Sequence, residues 1–119
     1  MLKPTTTMTW DDVEHEQLSA LIGRQMLNGE HSTVARIFLA KGAVVPRHSH
    51  PGEQFTLILS GALRLIFDDH EQLVRAGEMI FIPSQVPHGA VSLEDTIDLD
   101  IFGPRREDWI TSDDAYLRR

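Results

Sequence analysis

The chain has 119 residues, of which 18 are acidic and 11 are basic, so its formal charge is −7. A chain of this length suits one domain with one hydrophobic core, because two domains would each bury too little apolar surface. The negative charge argues against nucleic acid or an anionic membrane as a partner, and the absence of cysteine excludes disulfides, thiolate ligands and thiol nucleophiles.

The N-terminal segment, MLKPTTTMTW, has no continuous apolar run behind its lysine, so it matches neither a signal peptide nor a membrane anchor. We therefore expect a cytoplasmic protein without a membrane partner. Residues 1–9 are polar and threonine-rich, which predicts a flexible arm or an arm that pairs with a neighbouring subunit. The remaining residues, 10–119, are predicted to form a single domain.

The two ends of this domain have helical alternatives. The segment from Trp10 to Ile22, WDDVEHEQLSALI, is a helix candidate that Gly23 interrupts. Its glutamates, Glu14 and Glu16, could equally flank a loop or an edge strand, so both interpretations stay open. At the other end, residues 105–119 are predicted to form a short terminal helix or a loop.

From Thr33 onwards the chain is a series of short apolar runs separated by turn residues. The apolar positions do not recur at intervals of three and four, and each run has the length of a strand, so helices are not indicated. The pattern predicts a β-sandwich or barrel. The runs are TVARIFLA, QFTLILS, ALRLIFD, QLVRA, MIFIP, GAVS and TIDLDIF.

Between the first two runs lies the segment RHSHPGEQ, in which His48 and His50 are one residue apart. Alternate side chains of an extended chain share a face, so both imidazoles can bind one ion. Gln54 has the same parity, and Glu53 is a competing ligand of the opposite parity. A third imidazole, His88, follows the proline-rich turn PSQVP. Three imidazoles and one amide oxygen could form a metal site with open coordination positions.

These spacings resemble the two motifs of the cupins, a Gly, His-x-His, Glu, Gly pattern and a Gly, Pro, Gly, His pattern. The resemblance extends from Gly29 to Phe102 and implies an all-β fold, a small jelly-roll barrel of two antiparallel sheets. It also implies the metal ligands His48, His50, Gln54 and His88. This chain departs from the pattern at Gln54, where most cupins have glutamate, at Gln85, where the second motif has glycine, and at Ser92, where asparagine is common.

The predicted cofactor is one divalent transition metal. Three imidazoles and one amide accept nickel, iron, manganese, copper or zinc with only modest discrimination. A neutral glutamine leaves the site one unit more positive than a glutamate would. We therefore expect a small anionic metabolite as the substrate.

The last strand, TIDLDIF, raises a question of orientation. Composition alone favours burial of Ile97, Leu99 and Ile101, with the aspartates in water. The opposite orientation follows from a resemblance of HSHPGEQ and PHGAVSLEDTIDLDIFGPRRED to the cupins that open unsaturated uronic acids during pectin and alginate breakdown. The pattern of those cupins places an Asp, a Phe and an Arg near the metal, and the positions that match are Asp100, Phe102 and Arg106, with Arg105 as the neighbouring alternative to Arg106.

The resemblance implies conversion of a 4,5-unsaturated uronate to its linear 5-keto form. In this hypothesis Asp100 moves the proton, Arg106 holds the carboxylate as a bidentate clamp, and Phe102 forms a wall against the sugar. One alternative is a metal-dependent dioxygenase of a small organic substrate, and another is a non-catalytic module that binds a sugar acid or a metal. An outward aliphatic face at Ile97, Leu99 and Ile101 would favour a homodimer.

Overall fold

A computed structural model describes residues 2–118, so Met1 and Arg119 lie outside the described residues. These residues form ten strands, one α-helix and two 3-10 turns. The strands are β1 His15–Gln17, β2 Ile22–Asn28, β3 Thr33–Leu39, β4 Val44–His48, β5 Glu53–Ser60, β6 Ala62–Phe67, β7 Glu71–Arg75, β8 Met79–Ile82, β9 His88–Ser92 and β10 Thr96–Gly103. The helix α1 is Glu107–Ile110, and the 3-10 turns are Trp10–Asp12 and Ala115–Leu117.

The strands form two antiparallel sheets that face each other across one core. The larger sheet has the order β1-β2-β3-β10-β5-β8, and the smaller has the order β4-β9-β6-β7. Consecutive strands often lie in different sheets, which is the jelly-roll connectivity. The predicted all-β jelly roll with a short C-terminal helix is therefore confirmed. The core is mainly aliphatic and includes Ile22, Ile37, Ile58, Leu63 and Ile82.

The helix alternative for the segment from Trp10 to Ile22 is wrong. Only Trp10–Asp12 are helical there, in a 3-10 turn, and His15–Gln17 form an edge strand. The next strand, β2, pairs with β3 along its whole length, from Ile22 opposite Leu39 to Asn28 opposite Thr33. Backbone pairing to a central strand outweighs the weak local helix preference of this segment.

The central strand β10 lies between β3 and β5 and turns its polar face inward. Asp98, Asp100 and Phe102 are buried, whereas Ile101 is 37% exposed. The composition-based orientation of this strand is therefore wrong. The barrel interior at this point is a cavity with polar groups, so burial does not select aliphatic side chains. The outward aliphatic face suits a homodimer, which stays a prediction.

The chain after β10 folds over the open end of the barrel. The carboxylate of Asp114 lies 3.0 Å from the guanidinium of Arg24, and both side chains are fully buried. Trp109 packs edge-on against Phe102 with 5.1 Å between ring centroids. Because Asp114 is tied to β2, the second 3-10 turn is held against the mouth of the cavity.

The N-terminal residues before the first 3-10 turn bear on the predicted division of the chain. Residues 2–9 contain no strand, and a separate arm over 1–9 with a single domain over 10–119 stays a prediction. In the part of the chain from residue 2 to residue 118, no helix has the length and apolarity needed to cross a membrane.

Candidate metal site and its cavity

Three histidines converge where the two sheets meet at the open end of the barrel. His48 ends β4 and lies opposite His88, the first residue of β9, while His50 lies two residues after the end of β4. The ring centroids are 4.4 Å apart for His48 and His88 and 5.2 Å apart for His50 and His88. One ligand nitrogen from each ring lies within 4.8 Å of the others, so the three side chains can reach one ion.

Backbone carbonyls fix the orientation of all three imidazoles. Each Nδ1 lies 2.7 to 2.8 Å from a carbonyl oxygen two residues away, and the partners of His48, His50 and His88 are Pro46, Gly52 and Val86. A carbonyl oxygen only accepts, so Nδ1 must carry the proton and Nε2 must carry the lone pair. This is how metal-binding histidines are generally held, with the second nitrogen donating to a fixed oxygen. The donor set therefore fits a transition metal.

Burial keeps these imidazoles neutral. Desolvation lowers the pKa of His48 and that of His50 to about 4, against contributions from their backbone hydrogen bonds that raise it. The pKa of His88 is also lowered, again mainly by burial. Neutral imidazole is the form that binds a metal, so the site is ready for an ion at neutral pH.

Gln54 lies beside the histidines although it belongs to a different sheet from His48. The chain turns between His50 and Glu53, and Gln54 is the second residue of β5, in the other sheet. The premise of one extended chain from His48 to Gln54 is therefore wrong, although the structure does bring the amide to the histidines. The oxygen Oε1 of Gln54 lies 3.1 Å from Nε2 of His50, and Glu53 is exposed.

A directed chain of hydrogen bonds leads from Gln54 to the cavity floor. Nε2 of Gln54 donates to Oγ1 of Thr56 at 2.7 Å, and the Thr56 hydroxyl donates to Oδ1 of Asp100 at 2.7 Å. An amide has one donating and one accepting end. With its NH2 group on Thr56, Gln54 turns its oxygen toward the histidines.

Asp100 is paired with a second buried carboxyl, Asp98, two residues before it on the same face of β10. Burial raises the pKa of Asp98 well above its usual range, and the adjacent Asp100 raises it further. Burial also raises the pKa of Asp100, while hydrogen bonds from Thr56 and Asp98 oppose that rise. Two adjacent buried carboxyl groups disfavour double ionisation, and the larger rise at Asp98 favours its protonated form over that of Asp100.

Asp98 has no role predicted from the sequence. Its Oδ1 is buried and has no hydrogen-bond partner among the described residues, which is tolerable for a neutral acid and costly for a carboxylate. The available signal was the alternation D-L-D, which places both aspartates on one face of the strand as soon as either faces inward.

The structure distinguishes the two arginines. Arg106 is 2% exposed and lines the cavity, whereas Arg105 is partly exposed and pairs with Glu107. The fork of Arg106 is already engaged, because Nε and one terminal nitrogen donate to the carboxylate of Asp108 at 2.9 and 2.7 Å. A ligand carboxylate therefore cannot take that same pair of donors.

Phe102 links the arginine to the histidines. Its ring stands edge-on to His50 with 5.5 Å between centroids, and the Arg106 guanidinium lies 4.8 Å from its centre. The side chain is 1% exposed. Asp100, Phe102 and Arg106 thus lie around the same cavity as the histidines, and their catalytic roles stay predictions.

The C-terminal tail contributes Tyr116 and Trp109 to the cavity wall, and the sequence assigned no role to Tyr116. Tyr116 stacks on His48 with 4.6 Å between ring centroids and an interplanar angle of 27°. Trp109 lies under the Arg106 guanidinium at 4.1 Å. The short segments REDWI and DDAYL have no periodicity that points to a cavity, so only the tertiary fold reveals these contacts.

The departures from the cupin motifs have local explanations. Gln85 has φ of +65°, a conformation that glycine adopts without strain and glutamine at a cost of about 1 kcal/mol. Its backbone N–H donates to the carbonyl of His50 at 2.8 Å, which ties the two motifs together. Ser92 is buried and its hydroxyl donates to the carbonyl of Glu94 at 2.6 Å, well away from the histidines in the sheet.

The cavity has a volume of about 60 Å³, several times the volume that one water molecule needs. Its wall is aliphatic on the side of Leu63 and Leu65 and polar toward the mouth. The charged and titratable groups that line it are His48, His88, Asp98, Asp100, Arg106 and Tyr116. An apolar wall with a few convergent polar groups is typical of a small-molecule site.

Comparison with known proteins finds a matching family model and similar solved structures. A family model described as a cupin domain matches residues 35–102. The structure is similar to an RmlC-like cupin from Shewanella frigidimarina NCIMB 400, with a TM-score of 0.79 and 30% identity over 86% of this chain and 93% of that chain. It is also similar in fold to KdgF from Halomonas sp., with a TM-score of 0.80 and 24% identity over 87% of this chain and 99% of that chain.

A curated relative is longer than this chain. Germin-like protein 3-1 from Oryza sativa subsp. japonica is 39% identical over 67 residues, a match that spans 51% of this chain and 30% of the relative. Oxalate decarboxylase from Bacillus subtilis, a protein with Mn(II) centres, shares the fold with a TM-score of 0.73 and 19% identity over 82% of this chain and 29% of that chain.

Proposed function

Since the chain belongs to the cupin family, we propose that it is a metal-dependent enzyme that converts a 4,5-unsaturated uronate to the linear 5-keto acid. The observation that carries the proposal is the position of Asp100. Its carboxylate accepts a hydrogen bond from Thr56 at 2.7 Å, and it lines the same cavity as His48, His88 and Arg106. A proton acceptor, a candidate metal site and an anion-binding group thus share one small space.

The residues present fit a metal ion. His48, His50 and His88 would bind it through Nε2, and Gln54 through its amide oxygen. A divalent ion bound there supplies a Lewis acid that polarises an oxygen of the ligand. The identity of the ion is not determined by three imidazoles and one amide.

The proposed reaction is an isomerisation, so it needs no oxidant or second substrate. The anomeric hydroxyl loses its proton, the bond between C1 and the ring oxygen breaks, and the ring oxygen becomes the enol oxygen on C5. A proton is then delivered to C4 as the C5 ketone forms, and the atoms of the product equal those of the substrate. The acceptor and donor that we propose for these protons is Asp100.

The environment of Asp100 suits both halves of this transfer. Burial raises its pKa above the usual value, which makes the carboxylate a stronger base. The hydrogen bond from Thr56 holds the group in one orientation. Arg106 would bind the substrate carboxylate, and Phe102 would close the side of the cavity between the arginine and His50.

The test is product identification by proton NMR after metal-loaded protein has been incubated with unsaturated uronate monomer. The proposal predicts the linear 5-keto acid, at a rate that Asp100→Asn lowers by about a thousandfold or more because the amide cannot accept the proton. Asp69→Asn, which changes an exposed carboxylate outside the cavity, is the matched control and should leave the rate unchanged. Full turnover by Asp100→Asn would exclude Asp100 from proton transfer.

Oxygen uptake separates the proposal from the dioxygenase alternative. A dioxygenase consumes oxygen with each turnover, whereas the isomerisation consumes none. The carboxyl pair and the arginine in the cavity argue against an apolar aromatic substrate, because their polar groups would be left unpaired. A protein that binds uronate without any product would instead be a binding module.

A further inference from the structure

The hydroxyl of Tyr116 receives two hydrogen bonds and gives none to any residue from 2 to 118. Arg106 donates to it from a terminal nitrogen at 2.8 Å, and Trp109 donates from Nε1 at 3.0 Å. Guanidinium and indole N–H groups are donors only, so neither contact uses the phenol proton. The O–H of Tyr116 is therefore left with a proton to donate, beside a cavity that it lines.

Arg106 has an unused donor next to this hydroxyl. Its Nε and NH2 groups donate to Asp108, and NH2 also donates to Tyr116. NH1 of Arg106 makes no hydrogen bond within residues 2–118. Among those residues, the guanidinium nitrogen that is both fully buried and without a partner is NH1 of Arg24, so NH1 of Arg106 is not fully buried. NH1 of Arg106 thus has two hydrogens without an acceptor, next to Tyr116 and on a side chain that lines the cavity.

We propose that the Tyr116 hydroxyl and NH1 of Arg106 together bind one carboxylate group of the ligand. This inference deepens the proposed function and rests on it for the class of ligand, a sugar monocarboxylate. It replaces a bidentate clamp by Arg106 alone, because Asp108 occupies the fork of that arginine. Tyr116 becomes a binding residue that the C-terminal tail contributes to the barrel.

The surroundings hold the hydroxyl in place before a ligand arrives. The ring of Tyr116 stacks on His48, and the tail is anchored by the buried contact of Asp114 with Arg24 at 3.0 Å. A donor fixed in advance loses little conformational entropy on binding. The Asp108 carboxylate compensates part of the Arg106 charge, so a second donor matters more for holding an anion than it would beside a free arginine.

The experiment compares nickel-loaded wild-type protein with nickel-loaded Tyr116→Phe by isothermal titration calorimetry. Phenylalanine keeps the ring on His48 and removes only the hydroxyl. The probes are galacturonate, which is saturated and cannot undergo the proposed reaction, and galactose, which lacks the carboxylate. We expect galacturonate to bind Tyr116→Phe about tenfold to a hundredfold more weakly, the range for a hydrogen bond to a charged group. Galactose binding should be equally weak in both proteins.

The matched control is Thr111→Val, which removes a hydroxyl of the same tail that bonds to the carbonyl of Glu107 and does not line the cavity. It should bind galacturonate as wild type does. Nickel stoichiometry and melting temperature, measured on all three proteins, separate loss of the donor from loss of the site. Equal affinity of wild type and Tyr116→Phe for galacturonate would overturn the inference, and so would equal weakening for both sugars. Failure of wild type to bind galacturonate also overturns it, whereas turnover of unsaturated uronate decides the proposed function separately.

Discussion

The amide oxygen of Gln54 lies 3.1 Å from Nε2 of His50, although neither atom can donate a hydrogen bond to the other. The proton of His50 is on Nδ1, bonded to the carbonyl of Gly52, and the NH2 group of Gln54 is bonded to Thr56. Two acceptors held this close point to a cation between them. The contact therefore supports Gln54 as the fourth ligand of the proposed metal site.

Replacing this glutamine by glutamate tests why the amide is present. Gln54→Glu should keep the metal and weaken binding of the anionic substrate, because it adds a negative charge beside the ligand. At a few ångströms in a partly buried site, we expect KM to rise about tenfold to a hundredfold. Metal analysis and steady-state kinetics check this, with the exposed neighbour change Glu53→Gln as the control. An unchanged KM would contradict the electrostatic argument.

The hydroxyl of Thr56 should matter more than its shape. Thr56→Val removes the donor to Asp100 and leaves the Gln54 amide without its acceptor, so we expect kcat to fall about tenfold to a hundredfold with one metal per chain retained. Thr56→Ser keeps the hydroxyl and should stay within about threefold of wild type. Equal kinetics for the valine and serine variants would show that the relay has no part in turnover.

The depressed pKa values of the histidines predict how the metal-free protein titrates. In proton NMR, two imidazole signals, those of His48 and His50, should titrate near pH 4 because burial disfavours their charged forms. His70 gives an internal comparison with a pKa shifted in the opposite direction, since its hydrogen bond to Asp69 raises its pKa above the usual 6.5. Midpoints near 6.5 for the site histidines would contradict their burial.

The same shifts fix the direction of a stability effect. Between pH 4 and the unfolded pKa of about 6.5, the histidines of the site bind protons in the unfolded chain but stay neutral in the folded protein. The metal-free protein therefore becomes more stable as the pH rises from 4 to 6.5. Asp98 acts in the opposite direction. Its raised pKa favours the folded state at low pH, and this contribution is lost as the pH rises from about 4 through the folded pKa.

Asp98→Asn isolates the carboxyl contribution. The histidine effect is common to both proteins. The difference in free energy of unfolding between variant and wild type should therefore shift in favour of the variant as the pH rises. The slope of that difference is at most about 1.4 kcal/mol per pH unit for one proton. Urea unfolding of metal-free protein between pH 5 and 8 measures it. A difference that does not vary with pH would mean that Asp98 is ionised in the folded protein.

The sequence is sufficient to predict the fold class and the ligand histidines because both depend on short-range patterns. Strand-length apolar runs divided by turn residues predict a sheet. The one-residue spacing of His48 and His50, and the position of His88 after a proline-rich turn, predict the three histidines of the site. The strands β1 and β2 were less predictable, because they exist through pairing with β3. Likewise, the reason why Gln54 reaches the site is a turn between two sheets that parity along one strand cannot describe.

The polar interior was the harder part of the site to predict. Hydrophobic alternation alone favours the burial of Ile97 and Leu99, since it assumes an apolar core. The inward orientation of Asp98 and Asp100 depends on the cavity, which only the assembled barrel defines. The position of Tyr116 could not be predicted from the sequence for the same reason, because its contact with His48 joins residues far apart in the chain.

The most direct test of the central claim is the loss of ultraviolet absorbance of the conjugated alkene when metal-loaded protein meets unsaturated uronate monomer. The account predicts a loss faster than the spontaneous rate in wild type, and loss at the spontaneous rate in His48→Ala, which lacks one candidate ligand. Absorbance that decays no faster with wild-type protein, although one metal is bound per chain, would contradict it.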